Sequence, residues 1–329
     1  MNVMVKISII IPTYNSVATI DRLITSIIQQ TGFQDYEIIC VDDGSTDQTW
    51  GRLQELASQH PMIRCYRQTN QKQAAARNNG LRHALGDYVM FADADDYWLP
   101  GLFEAVVPDL KQALTIFGIQ KDYDQKQVLE VQSGTKGSHN QQQLIQNYLA
   151  KNVEMDVGVW NKVFSKAMID HYQFQFSNGN FFEDSSFVLA FLAHVTPKDI
   201  RYIEKPFYVL NKHANTTTSQ FSPAIIERAQ RYYRGVVTTL TELHYADQTQ
   251  QAILTALRCR LLLHVSHHYL VNNPQWSPQW ERHFLAARLK TLPMLTNRLI
   301  TWKYKLAYLT LRYVPRVYRL AYLNYKPEI

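Results

Sequence analysis

Along the first third of the chain, apolar positions come in short dense runs separated by longer segments of helical composition. "VKISIII" (5–11), "YEIICV" (36–41), "MIRCYR" (62–67) and "DYVMFA" (87–92) are β-branched or aromatic-rich and read as four strands. The intervening stretches, Ala18 to Gln30, a segment opening near Ser45, and "QAAARNNGLRHAL", read as helices; Ser45 and Gln48 stand at capping-box spacing. Strands alternating with helices predict βαβ units and a mostly parallel sheet, an α/β fold. From Leu114 the pattern loosens. The polar, Gln-rich run 121–143 reads as a β-excursion and loop, and a second ordered block spans Met155 to Ser219. Beyond Pro223 the chain reads as helical, with breaks at "NNPQWSP" (272–278) and at Pro293.

Composition narrows the class. A chain of 329 residues suits one large α/β domain plus an appendage, and 46% apolar with 19% charged residues is a globular balance. Cys40, Cys65 and Cys259 are odd in number and lack CxxC spacing, which points to a reducing compartment and away from disulfides or zinc. The run Ile7 to Ile11 is too short for a signal-peptide core, and no stretch of 18 apolar residues exists to span a bilayer. The expected location is cytoplasmic.

In parallel sheets, ligands bind at the carboxyl ends of the strands. "PTYN", "DDGS" and "DADD" all fall there. If 91–96 is extended, Asp93 and Asp95 project to one side and can meet Mg2+ or Mn2+ on a diphosphate. The plainer alternative is a solvated loop or a helix start at Asp96, with Pro100 in the first turn. In "VDDGSTD" (41–47), Gly44 and Ser45 suit a turn and cap, which leaves one of Asp42 and Asp43 to accept the imide N–H of a base. "IPTYN" (11–15) lacks GxGxxG, which argues against a dinucleotide site; Tyr14 can pack on a nucleobase. Glu183 and Asp184, in "NFFEDSSFVLAF" (180–191), read alone as first-turn helix charge.

Taken together, "ISIIIPTYNS", "ATIDRLITSIIQQT", "YEIICVDDGSTD", "AAARNNGL" and "GDYVMFADADD" resemble the family-2 type of inverting, nucleotide-sugar-dependent glycosyltransferases with a GT-A fold. The likeness is dense over residues 5 to 110 and weaker through "VWNKVFSK" (159–166), "FFEDSSF" (181–187) and "NKHANTTTS" (211–219). It does not reach 225–329. It implies a Rossmann-like, mostly parallel central sheet flanked by helices: a catalytic domain over 1–222, with a nucleotide-binding half (1–115) and an acceptor-binding half (116–222). A helical C-terminal region (223–329) follows.

The resemblance implies that Pro12, Thr13, Tyr14, Asn15 and Asp43 hold the uridine end of a UDP-sugar. Asp95 would contact Mn2+ or Mg2+; Asp93, first in the DXD motif, would reach nucleotide, donor sugar and metal. Arg77 and Asn78 fall near the donor sugar, and Lys212 and His213 on a loop over the diphosphate. Asp184 takes the place of the general base, with Glu183 as the weaker candidate or an orienting neighbour. An acceptor hydroxyl must lose its proton as it attacks the anomeric carbon, and a carboxylate in reach can take it. A single displacement inverts configuration. Trp160 is expected in the core, with Asn161 and Lys162 toward the acceptor. The implied activity moves a hexose or N-acetylhexosamine to a saccharide or lipid-linked saccharide in bacterial surface or exopolysaccharide synthesis. An inactive sugar- or nucleotide-binding scaffold is the rival; a sugar nucleotidyltransferase would want a Gly-rich loop after the first strand. One departure stands out: the family commonly shows NxGxSxARN, whereas "NQKQAAARN" puts Lys72 and Ala74 at the Gly and Ser positions.

The net charge of +6 is concentrated at the C-terminal end. Between Trp280 and Ile329, ten basic residues face only Glu281 and Glu328. Leu295, Leu299, Trp302, Leu306, Leu309 and Tyr313 follow helical spacing, with Arg298, Lys305 and Arg312 recurring beside them. Such a helix either lies on an anionic membrane, here through 294–325, or packs on the catalytic domain or a second subunit as a homo-oligomer contact. No nucleic-acid recognition motif accompanies the charge.

Overall fold

The computed structural model describes residues 7–123, 126–177, 182–212, 221–271 and 291–322. Its first strands follow the local pattern closely: β1 (Ile7–Thr13), α1 (Ile20–Ile28), β2 (Tyr36–Asp42), α2 (Thr49–Gln59), β3 (Ile63–Arg67), α3 (Lys72–His83) and β4 (Tyr88–Phe91). β1 is buried along its whole length, and α1 turns Ile20, Leu23, Ile24 and Ile27 inward. Each such side chain contributes roughly 1.5–3 kcal/mol of burial. α3 lies so close to β1 that a Cβ on Gly80 would meet Ile10 at 2.4 Å.

Next come β5 (Tyr97–Trp98), α4 (Leu102–Val106), β6 (Leu114–Tyr123), β7 (Lys126–Glu130), α5 (Gln141–Lys151), α6 (Glu154–Val157), β8 (Lys162–Ser165), α7 (Lys166–Tyr172), α8 (Glu183–Leu192) and β9 (Ile200–Asn211). The described strands form one sheet in the order β3-β2-β1-β4-β8-β6-β9-β5, with β7 hairpinned to β6. β3, β2, β1 and β4 run parallel. β8 is antiparallel to both β4 and β6, while β6 and β9 are parallel. In register, Thr13 stands beside Asp42, so the ends of β1 and β2 deliver "PTYN" and "DDGS" to one edge, with "DADD" following β4 there.

The chain divides into two compact units, Met1–Leu144 with Val153–His213, and Ile145–Asn152 with Ala214–Ile329; the division passes through α5. The second unit holds α9 (Ile225–Glu242), α10 (Asp247–Val271), α11 (Thr291–Thr296), α12 (Trp302–Tyr313) and α13 (Pro315–Tyr322). Its core gathers Ala256, Cys259 and Leu263 of α10 with Met294, Ile300, Tyr308, Leu311 and Tyr318. Arg260 donates to the carbonyl oxygens of Leu149 and Ala150 inside the same unit.

Several local expectations are corrected. α2 starts at Thr49, not near Ser45; its N-cap Gln48 makes no side-chain cap bond, and the Asp47 carboxylate accepts the Thr49 N–H at 2.9 Å. The Ser45 hydroxyl instead donates to Asp42 and accepts from the Asn15 backbone, so it is not available to a helix end. Pro293 lies inside α11, and the described interruption of this stretch falls at 297–301. Pro100 precedes α4, whose N-cap is the left-handed Gly101 (φ 89°).

Candidate active site

The turn after β4 decides how three neighbouring carboxylates differ. Residues 93–96 are not extended: the Asp96 N–H donates to the Asp93 carbonyl at 3.1 Å, closing a turn. The premise that Asp93 and Asp95 project together from a strand is therefore replaced by a division of labour. Asp96 is buried and accepts from the Tyr208 hydroxyl (2.8 Å) and the Asn211 N–H (2.9 Å). Burial, with Asp95 and Asp93 beside it, lifts its pKa well above the usual carboxylate range. The same Tyr208 hydroxyl accepts from the Asp93 N–H, and Asn211 and Arg22 donate to the Asp95 carbonyl. Asp96 thus fixes the turn, and Asp95 is left exposed at its tip.

Asp93 turns inward to Arg77. The Arg77 guanidinium is fully buried (0% exposed) and donates 2.7 Å to Asp93 Oδ1 and 2.6 Å to Asp184 Oδ1, with Glu183 Oε1 at 3.9 Å. Gln73 adds a 3.0 Å bond to Asp93, and the guanidinium lies 5.2 Å over the Phe176 ring. Asn78 clamps the Phe176 backbone from both sides, at 2.8 and 2.9 Å. One buried cation therefore joins α3, the β4 turn and the first turn of α8. The Asp93 and Asp184 side chains keep 25% and 24% of their surface open to solvent.

Three carboxylates around one guanidinium carry an excess of negative charge. Burial alone would lower the Arg77 pKa, but Asp184, Asp93 and Glu183 more than reverse this and keep it charged. Burial, then repulsion from Asp184, lifts Glu183 to about 8. Burial also raises Asp184, while Arg77 pulls it back. The pair can hold a proton near neutrality, with Glu183 its natural seat.

The residues expected on the nucleotide side stand at the ends of β1 and β2. Pro12 and Thr13 are buried, Asn15 is held left-handed (φ 51°) and accepts from Thr46 N–H at 2.8 Å, and Tyr14 is exposed. The Asp43 carboxylate accepts from Gln68 Nε2 (2.8 Å) and from the N–H groups of Gln71 (2.8 Å) and Lys72 (2.7 Å). A carboxylate offers about four acceptor positions, so one further donor can be received. Lys72 itself has φ 73°, the conformation that favours glycine, although a lysine occupies the position. Gly44 (φ 75°) supports the same loop, and a Cβ there would meet Asn70 N at 3.0 Å.

Trp160 is buried and stacks on Tyr208 at 5.2 Å. Asn161 and Lys162 do not face an acceptor: both are fully buried. Asn161 donates to the Phe117 carbonyl (2.6 Å), and Lys162 to the carbonyls of Met155 (2.6 Å) and Gly158. Burial lowers Lys162 to about 7. Lys212 pairs with Glu154, which also holds Lys121 at 2.8 Å; His213 lies outside the described residues. Sequence reasoning overlooked Gln73, Phe176 and Tyr208. Tyr208 carried a partial signal as a polar-tipped residue in the apolar end of β9.

No group of three His, Cys, Asp or Glu side chains able to cage a metal occurs among the described residues. The exposed Asp95 carboxylate and the Asp93 carboxylate, a quarter open to solvent, are each oxygen donors of the kind a hard divalent cation takes beside ligand phosphates.

Residues 8–172 match the sequence profile described as "Glycosyl transferase family 2". The chain belongs to that family. It is a glycosyltransferase by class, and the family match covers the cluster's Arg77 and Asp93. Glycosyltransferase EpsJ of Bacillus subtilis (strain 168) is 27% identical over 246 residues, 70% of this chain and 68% of that one. The poly(ribitol-phosphate) beta-glucosyltransferase of Bacillus spizizenii is 40% identical over 95 residues, 28% of this chain and 15% of that one. Among solved structures, S. aureus TarS 1–349 in complex with UDP-GlcNAc has a TM-score of 0.66 at 19% identity, covering 97% of this chain and 89% of that one. The expected GT-A-type fold is the observed one.

Proposed function

We propose that this glycosyltransferase moves a hexose or N-acetylhexosamine from a UDP-sugar to a saccharide or lipid-linked saccharide acceptor, with inversion, in bacterial surface or exopolysaccharide synthesis. The observation that carries the reading is the Arg77 bridge, which holds Asp93 and Asp184 in one cluster although 91 residues of sequence separate them. Pro12, Thr13, Tyr14, Asn15 and Asp43 take the uridine end. Asp95, assisted by Asp93, would hold Mn2+ or Mg2+, which when bound supplies positive charge to the diphosphate leaving group. Lys212 and His213 would act on the diphosphate.

Asp184 is the base. Its carboxylate accepts the acceptor hydroxyl's proton as the oxygen bonds to the anomeric carbon, and the bond from that carbon to the diphosphate breaks with its electron pair leaving on UDP. An α-linked donor then gives a β-linked product. Arg77 has no exposed surface, so it acts on the donor sugar through Asp93 and on the base through Asp184; Asn78 supports it by fixing Phe176. Glu183, holding a proton, limits the charge beside the base. Peripheral contact of 294–325 with an anionic membrane belongs to the same reading.

The test is a panel of UDP-sugars with Mn2+, scored for released UDP, together with Asp184→Asn. Transfer should fall about a thousandfold with Mn2+–UDP affinity nearly unchanged. A large loss of UDP binding would contradict the base role, and UDP binding without turnover of any UDP-sugar would establish the inactive scaffold.

A further inference from the structure

Among the described residues, nine of the fourteen exposed large apolar side chains lie between Leu292 and Leu320. The concentration has a clear cause in α12. Tyr308 and Leu311 point inward to the α10 core. Trp302, Leu306 and Tyr313, at i, i+4 and i+11, occupy the opposite face; Trp302 is 68% and Leu306 55% exposed. At 100° per residue, Lys303 flanks that stripe on one side and Lys305 and Arg312 on the other. α13 continues the pattern with Val317 and Leu320 (71%) exposed beside the exposed Arg316, and α11 adds Leu292 and Leu295. Over 291–322 the sequence has six basic residues and no acidic one.

We infer that the outward faces of α11, α12 and α13 form an interfacial binding surface for anionic lipid headgroups. This deepens the peripheral-membrane part of the proposed function, and rests on it only for the location. Charge selects the occupant. In a twofold contact between two copies, the same patch meets itself, and these cations would face the same cations with no carboxylate in the segment to offset them. Interface cores are moreover depleted in lysine. An anionic headgroup layer neutralises the rim, while Trp302 and Tyr313 suit the boundary between water and acyl chains. No described helix is long and apolar enough to cross a membrane, so the surface lies on the bilayer.

The full chain is to be sedimented with vesicles of phosphatidylglycerol and phosphatidylcholine, and with phosphatidylcholine alone. We expect at least tenfold stronger partitioning to the anionic vesicles, weakening with salt. A Trp302→Ser, Leu306→Ser double variant should lose at least tenfold of that binding with its melting temperature and UDP affinity unchanged, because both side chains face outward. Lys303→Glu with Arg316→Glu should abolish the anionic preference. Wild-type protein that ignores anionic vesicles, or variants that bind as wild type does, overturn the inference. A concentration-dependent dimer broken by these variants without vesicle binding assigns the face to a second copy instead. UDP release is read separately: its failure with vesicle binding intact removes the UDP-sugar donor reading and leaves the surface standing.

Discussion

The two units depart from the ordinary partition of polar and apolar groups in opposite directions. The sheet unit buries charge: Arg77, Lys162 and Asp42 have no exposed surface, and Asp156 almost none. The helical unit does the reverse and leaves Trp302, Leu306 and Leu320 in solvent. Buried ions persist only where opposite charge or backbone carbonyls compensate them, as Asp93 and Asp184 do for Arg77 and the Met155 and Gly158 carbonyls do for Lys162. Contiguous exposed apolar surface marks a place where another phase or molecule completes the burial. The comparison separates two kinds of functional surface, an interior electrostatic one and an exterior hydrophobic one.

The largest expected effect that would test the comparison is in the sheet unit. Arg77→Leu leaves three carboxylates without their cation and should cost about 3–5 kcal/mol in urea unfolding. A loss under about 1 kcal/mol would mean that the cluster relaxes or takes in water. The helical unit should show its asymmetry across a single helix. Leu311→Ala, on the inner face of α12, is expected to cost about 2–4 kcal/mol, while Leu306→Ala on the outer face stays within about 0.5. Equal costs would show that Leu306 is covered in solution.

A pH series sharpens the electrostatic side. Glu183, at about 8, binds its proton more tightly folded than unfolded, so the native state holds more protons between the ordinary carboxylate range and pH 8. Stability from this group is present at low pH and is lost as pH rises through that window. Glu183→Gln should remove the decline, a difference of roughly 1–3 kcal/mol at pH 8 by thermal or urea melts. An unchanged slope would place the proton elsewhere. The smallest effect concerns Lys72, whose left-handed backbone costs a side-chain-bearing residue about 1 kcal/mol. Lys72→Gly should stabilise by roughly 0.5–1 kcal/mol while leaving the bond from its N–H to Asp43 in place.

Much of the fold was written locally. β1, β2 and β4 fall within a few residues of the runs that predicted them, because a buried parallel strand is a continuous apolar segment whatever its neighbours are. The mouth of β4 was recognisable as a concentration of acid, and 121–143 as a β-excursion, which β6 and β7 supply. The apolar stripe expected on one helix holds only in part: Trp302, Leu306 and Tyr313 share an outer face of α12, but the chain is interrupted at 297–301, and Leu299 and Leu309 pack against the inner cluster.

Tertiary structure alone decided the orientation of these groups. Whether Asp93 joins Asp95 or turns to Arg77 depends on the turn closed by Asp96 and on Tyr208, more than a hundred residues away. Ser45 could cap a helix by sequence, yet Asp42 and Asn15 claim its hydroxyl first. The α12 stripe could face in or out by periodicity, and Tyr308 and Leu311 took the inward place. Periodicity fixes which residues share a face because backbone geometry is local. Which face is buried, and which carboxylate keeps its charge, is set by partners brought near only by folding.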